Sequence, residues 1–142
     1  MCIRDSYKPE FPTNFPNWLR GCVSIIHPHK HVIGFCNNLG INYKNYIVRR
    51  IVPTLSASDF IKQYDIEGVE YLKIDTEGHD CVILNAWLDA CATNNNLYPK
   101  RIFYESKDLT DINDIMNMRN RLTSLNYKLN ILGDDTEAIL NT

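Results

Sequence analysis

The chain has 142 residues, 44% of them hydrophobic, 11% aromatic and 23% charged, which is enough apolar content for a core and too much for wholesale disorder. A formal net charge of -2 leaves no electrostatic footprint for nucleic acid or an anionic membrane surface. No apolar run approaches the roughly 20 residues of a membrane span. The five cysteines are scattered and include no C-x-x-C pair, which argues against a disulfide framework or zinc knuckle and for a reducing, cytoplasmic setting.

The opening Met1-Cys2-Ile3-Arg4-Asp5-Ser6 matches the translation of a sequencing-library adaptor. It is read as a scar and kept out of the fold reasoning, with the natural chain expected to continue upstream of Tyr7. Residues 7–45 read as an irregular lid or connecting segment. Pro9, Pro12, Pro16 and Pro28 interrupt it and disfavour long helices and central strands. Phe11, Phe15, Trp18, Val23, Ile25 and Ile26 are too apolar for a free linker, so the segment is expected to pack, with a short extended piece around Cys22–Ile26. His27, His29 and His31 alternate as residues on one strand face would. Pro28 opposes a regular strand and no neighbouring acid or cysteine completes a ligand set, so no metal is assigned there.

From Tyr46 the pattern becomes regular. Residues 46–52 are rich in β-branched side chains and predict a strand ended by Pro53. Ser56 or Ser58 caps a short helix through Gln63, with Phe60 facing inward. Val69–Ile74 predicts a second strand, running into Asp75-Thr76-Glu77-Gly78. Val82, Ile83, Ala86, Trp87 and Ala90 then recur at helical spacing. Arg101–Tyr104 is a third strand, ending at Glu105. Ile112, Ile115, Met118, Leu122 and Leu125 mark an amphipathic helix capped by Asp108 or Thr110, and Met116, Met118 and Trp87 are assigned to the core. Tyr127–Leu132 and Glu137–Leu140 close the chain around Gly133-Asp134-Asp135. Their connection is too short for a parallel crossover, so this pair must be antiparallel. Strands alternating with helices predict an α/β fold with a parallel sheet.

The stretch Val69–Leu84, VEYLKIDTEGHDCVIL, resembles the signature of FkbM-type methyltransferases. The matching residues are Leu72, Lys73, Ile74, Asp75, Glu77, Gly78, Asp80 and Leu84. Flanking segments are similar: Val52-Pro53-Thr54-Leu55 upstream, Pro99 to Glu105 downstream, Asp135-Thr136-Glu137-Ala138 near the end, and Leu125-Asn126-Tyr127, where Asn126 replaces the usual glycine. The resemblance, over about Asn17 to Leu140, implies a class I, Rossmann-like fold that uses S-adenosyl-L-methionine, with sheet order 3-2-1-4-5-7-6 and strand seven antiparallel. Val69–Ile74 then corresponds to strand four, Arg101–Tyr104 to strand five, and the closing pair to strands six and seven. The glycine-rich turn after strand one and the ribose acid after strand two find no counterpart, because none of the six glycines forms a G-x-G. Residues 46–142 are accordingly expected to be the C-terminal half of a methyltransferase domain, with strands one to three missing and the fragment itself inactive.

Ligands in open α/β sheets bind at the carboxyl ends of the strands. Asp75, Glu77 and Glu105 are therefore candidate catalytic residues, whose clustered carboxylates can raise one another's pKa or jointly bind Mg²⁺. His79, in the same turn, is a candidate base. Asp75 and Gly78 are candidates for cofactor contact. Arg20 and Ser24, within a segment resembling the family's "G-x-x-S", are candidates for substrate contact. The expected acceptor is a hydroxyl of a small molecule or glycan, with no nucleic-acid or membrane partner. The reading from another class is a non-catalytic α/β binding or interaction domain, because fold alone does not fix function.

Overall fold

The β-branched run Ile47–Val52 forms a strand, as its composition predicts. The computed structural model describes residues 2–7, 16, 22, 28–106 and 109–141. They divide into two units, Met1–Thr54 and Leu55–Thr142.

In the first unit, β1 (Cys2–Tyr7) pairs antiparallel with β2 (Ile47–Val52), with Cys2 opposite Val52 and Tyr7 opposite Ile47. The residues read from sequence as a scar therefore lie in a paired strand. The strand Ile47–Val52, grouped by sequence with the methyltransferase half, pairs within this unit. The segment called irregular contains a helix, α1 (Lys30–Asn38). His29 caps it, its Nδ1 accepting the His31 N–H at 3.2 Å, so His29 and His31 begin a helix instead of alternating along a strand. Val32 and Cys36, one turn apart, are buried beneath Phe35, Ile41, Tyr43 and Tyr46. That single apolar pair and the interior Gly34, a poor helix former, explain why periodicity does not reveal α1. Arg20, Ser24, His27 and the extended piece after Cys22 lie outside the described residues.

In the second unit, α2 (Ala57–Gln63) is capped by Ser56, whose Oγ accepts the Asp59 N–H at 3.1 Å. Phe60 faces inward only in part: it is 41% exposed, its ring tilted against Tyr64 and 6.5 Å from the Trp87 ring, while Ile61 packs toward Trp87 more deeply. The remaining elements are β3 (Tyr71–Ile74), α3 (Asp80–Cys91), β4 (Arg101–Glu105), α4 (Ile112–Ser124), β5 (Tyr127–Leu132) and β6 (Asp135–Leu140). The sheet order is β3-β4-β6-β5, with β3 parallel to β4 and β6 antiparallel to both its neighbours. The closing pair is thus antiparallel, as its short connection requires.

One core forms from Ile74, Leu84, Leu88, Ile102, Tyr104, Met118 and Leu122, joining both long helices to the sheet. The inward face of α3 is Cys81, Leu84, Leu88 and Cys91, rotated from the expected one. Val82 is 50% exposed and Ala86 is exposed, whereas Trp87 is buried, its Nε1 donating to the Leu97 carbonyl at 3.3 Å. Met118 is fully buried, but Met116 and Ile112 are exposed on α4. Asp111, not Asp108 or Thr110, caps that helix, accepting the Asn113 N–H at 2.8 Å. Asn126 ends the turn after α4 at φ +66, a left-handed conformation that asparagine tolerates better than most residues. Among the described residues no helix is long and apolar enough to cross a membrane.

Candidate functional site

Parallel pairing of Ile74 with Tyr104 brings β3 and β4 to the same end of the sheet, so Asp75 and Glu105 leave it side by side. Antiparallel pairing sets Asp135, the first residue of β6, opposite Glu105. Between β3 and α3 the chain folds back sharply, with Glu77 at φ +57 and Gly78 at φ +101. The left-handed Gly78 is required by the turn. A Cβ there would also meet the Leu109 carbonyl oxygen at 2.8 Å, so the Leu109 backbone lies close against this turn.

The turn is closed from beneath by Asp80, whose side chain is fully buried. Its Oδ2 accepts the Thr76 hydroxyl at 2.9 Å and the Thr76 N–H at 3.3 Å, and its Oδ1 accepts the Glu105 N–H at 3.3 Å. One carboxylate thereby binds the ends of both parallel strands. A buried carboxylate requires such donors. Asp80 stands in the sequence motif, but its acceptor role depends on residues 25 positions downstream and cannot be read from spacing.

Glu105 is half-buried, and its carboxyl is pushed up to about 7. Desolvation is the largest cause, followed by the negative charges of Asp80, Glu77, Asp75 and Asp135. No cation among the described residues pairs with it. Lys73, on the neighbouring strand β3, pairs with exposed Asp75 at 3.1 Å. Asp135 is also raised, by burial first and then by Asp75 and Asp134. It escapes a sequence search because it belongs to the final strand motif and reaches the site only through sheet pairing. His79 is the N-cap residue of α3 and makes no side-chain capping bond.

Behind Glu105 lies a hydroxyl cluster. The Ser106 and Thr136 hydroxyls are 2.6 Å apart, and Arg119 Nη2 reaches Ser106 Oγ at 3.5 Å. The Tyr104 hydroxyl sits near Thr136 and Arg119 without a well-formed hydrogen bond, and burial pushes it up to about 12.

A half-buried carboxyl thus stands among four other acids at the carboxyl ends of two parallel strands, the end at which open α/β sheets bind ligands. Residues 24–129 match the methyltransferase FkbM domain, and the chain belongs to that methyltransferase family. No curated protein and no solved structure matches it.

Proposed function

We propose that this chain is the strand-four-to-seven portion of a methyltransferase domain that moves a methyl group from S-adenosyl-L-methionine to an oxygen of a small molecule or glycan in the cytoplasm. The observation that carries this reading is the placement of half-buried Glu105 at the carboxyl end of β4, opposite Asp135 and held on Asp80, a setting that raises its carboxyl to about 7. A hydroxyl is a poor nucleophile until its proton is removed, and a base titrating near working pH does that best. Glu105 Oε takes that proton. Burial and the charges of Asp80, Glu77, Asp75 and Asp135 keep its proton affinity high, and His79 borders the same turn.

S-Adenosylmethionine supplies an electrophilic methyl on a sulfonium when bound. The carboxylates of the strand-end cluster suit its cationic sulfonium and ammonium, with Asp75 and the Gly78 turn the nearest residues to hold them. The sequence offers no G-x-G turn for the rest of the cofactor, so the residues in hand fit that group in part. This supports a chain that does not bind S-adenosylmethionine appreciably or transfer methyl groups by itself. Isothermal titration of the purified chain tests this part of the reading, with saturable micromolar binding contradicting it. For the catalytic part, Glu105→Gln in an active longer form should lower kcat by about 10²-fold or more with cofactor affinity within a few-fold. Turnover near wild type would remove Glu105 as the base.

A further inference from the structure

We propose that Asp80 is a positioning residue for Glu105, a buried carboxylate clamp that holds the ends of β3 and β4 in register and so fixes where the Glu105 carboxyl stands. The geometry is specific. Thr76, two residues past the end of β3, donates both its N–H and its hydroxyl to Asp80 Oδ2. Glu105, the last residue of β4, donates its N–H to Asp80 Oδ1. Backbone pairing between the two strands ends at Ile74 and Tyr104, so Asp80 extends the connection one step beyond the ladder. Asp80 is completely buried, and its three acceptor contacts use both oxygens.

The clamp also has an electrostatic consequence for the acid it positions. The charged groups facing Glu105 are Asp80 from α3, Asp75 and Glu77 from the connection after β3, and Asp135 from β6. Asp80 is the largest contributor among them, so it both fixes the Glu105 backbone and keeps its carboxyl protonated to higher pH. The effect on turnover rests on the reading of Glu105 as the base. The clamp does not.

Asp80→Asn tests it. An asparagine has one oxygen, and the two Thr76 donors favour turning that oxygen toward Thr76, which sets the amide NH₂ against the Glu105 N–H. Amide exchange by NMR on the full chain should then show the Glu105 N–H exchanging at least about tenfold faster while Phe103, mid-strand in β4, keeps its protection. The Glu105 carboxyl should titrate at lower pH. Unchanged protection and titration at Glu105, or equal loss along all of β4, would overturn the proposal. The second outcome is what general loss of packing produces. If Asp80→Asn does not fold, Thr76→Val decides. Loss of the hydroxyl bond should speed Glu105 exchange measurably with Phe103 unaffected, and no change there overturns the clamp. These readouts need no methyl acceptor, so they can fail or succeed independently of the activity of Glu105→Gln.

Discussion

Asp135 stands directly opposite Glu105 in the antiparallel β4–β6 pair, and the Ser106 N–H closes the pair on the Asp134 carbonyl at 2.8 Å. Two acids from strands about 30 residues apart in sequence are thereby fixed at one sheet end by backbone pairing alone. Asp135→Asn should remove one of the negative charges that raise Glu105. Its carboxyl titration, followed by carbon NMR, should move to lower pH while the β4–β6 amides keep their protection. An unmoved midpoint would show that Asp135 does not act on Glu105.

The raised Glu105 has a consequence for stability. Its folded pKa of about 7 exceeds its unfolded value of 4.5, so between those values the folded chain binds more protons than the unfolded one. Stability from this group is fully present below about pH 4.5 and is lost as pH rises through 7. The loss should amount to no more than about 1–2 kcal/mol, because a half-exposed carboxyl is screened by solvent. Urea unfolding at pH 5 and pH 8 should show the decline, and Glu105→Gln should flatten it. Identical pH dependence in the two proteins would contradict the assignment.

The rotated face of α3 predicts opposite outcomes for neighbouring residues. Leu84→Ala, at a fully buried position, should cost about 2–5 kcal/mol, and Trp87→Ala about 3–5 kcal/mol. Val82→Thr, at a half-exposed position, should stay within about 0.5 kcal/mol. Chemical denaturation of the three variants checks the ranking, and a large loss from Val82→Thr would restore the face read from periodicity.

Gly78→Ala should be destabilising by more than about 1 kcal/mol, because a side chain meets both a disfavoured φ of +101 and the Leu109 carbonyl oxygen. An unchanged denaturation midpoint would mean that the turn and the Leu109 segment relax freely.

The elements of the second unit are legible in sequence where local composition dictates them. Arg101–Tyr104, the Ile115/Met118/Leu122 stripe and the strand Tyr127–Leu132 are found at or within a residue of their places, whereas the last strand begins two residues before Glu137, at Asp135, which the sequence pattern assigns to the turn. The motif Asp75 to Asp80 follows the carboxyl end of β3, as the strand reading places it. The misread features are those that tertiary contacts decide. On α3 nearly every position is apolar, so periodicity cannot choose between Val82 and Leu84, and packing against Ile102 and Met118 does. Phe60 stays partly exposed at the rim of the Trp87 ring because Ile61 takes the more buried position beside it. Helix α1 hides behind a proline, a glycine and three histidines. At the site, Asp75, Glu77 and Glu105 are visible as acids ending strands, but Asp80 and Asp135 gain their roles through partners 25 and 30 residues away.

The most direct test of the account is the titration of the Glu105 side-chain carboxyl in the intact chain, assigned by its loss in Glu105→Gln. With burial and the charges of Asp80, Glu77, Asp75 and Asp135 all raising it, a midpoint near 7 is expected, where a carboxylate can take a proton from a hydroxyl and give it up again. A midpoint near the ordinary 4.5 would leave the strand-end cluster a set of solvated acids and contradict the proposal that Glu105 is a base.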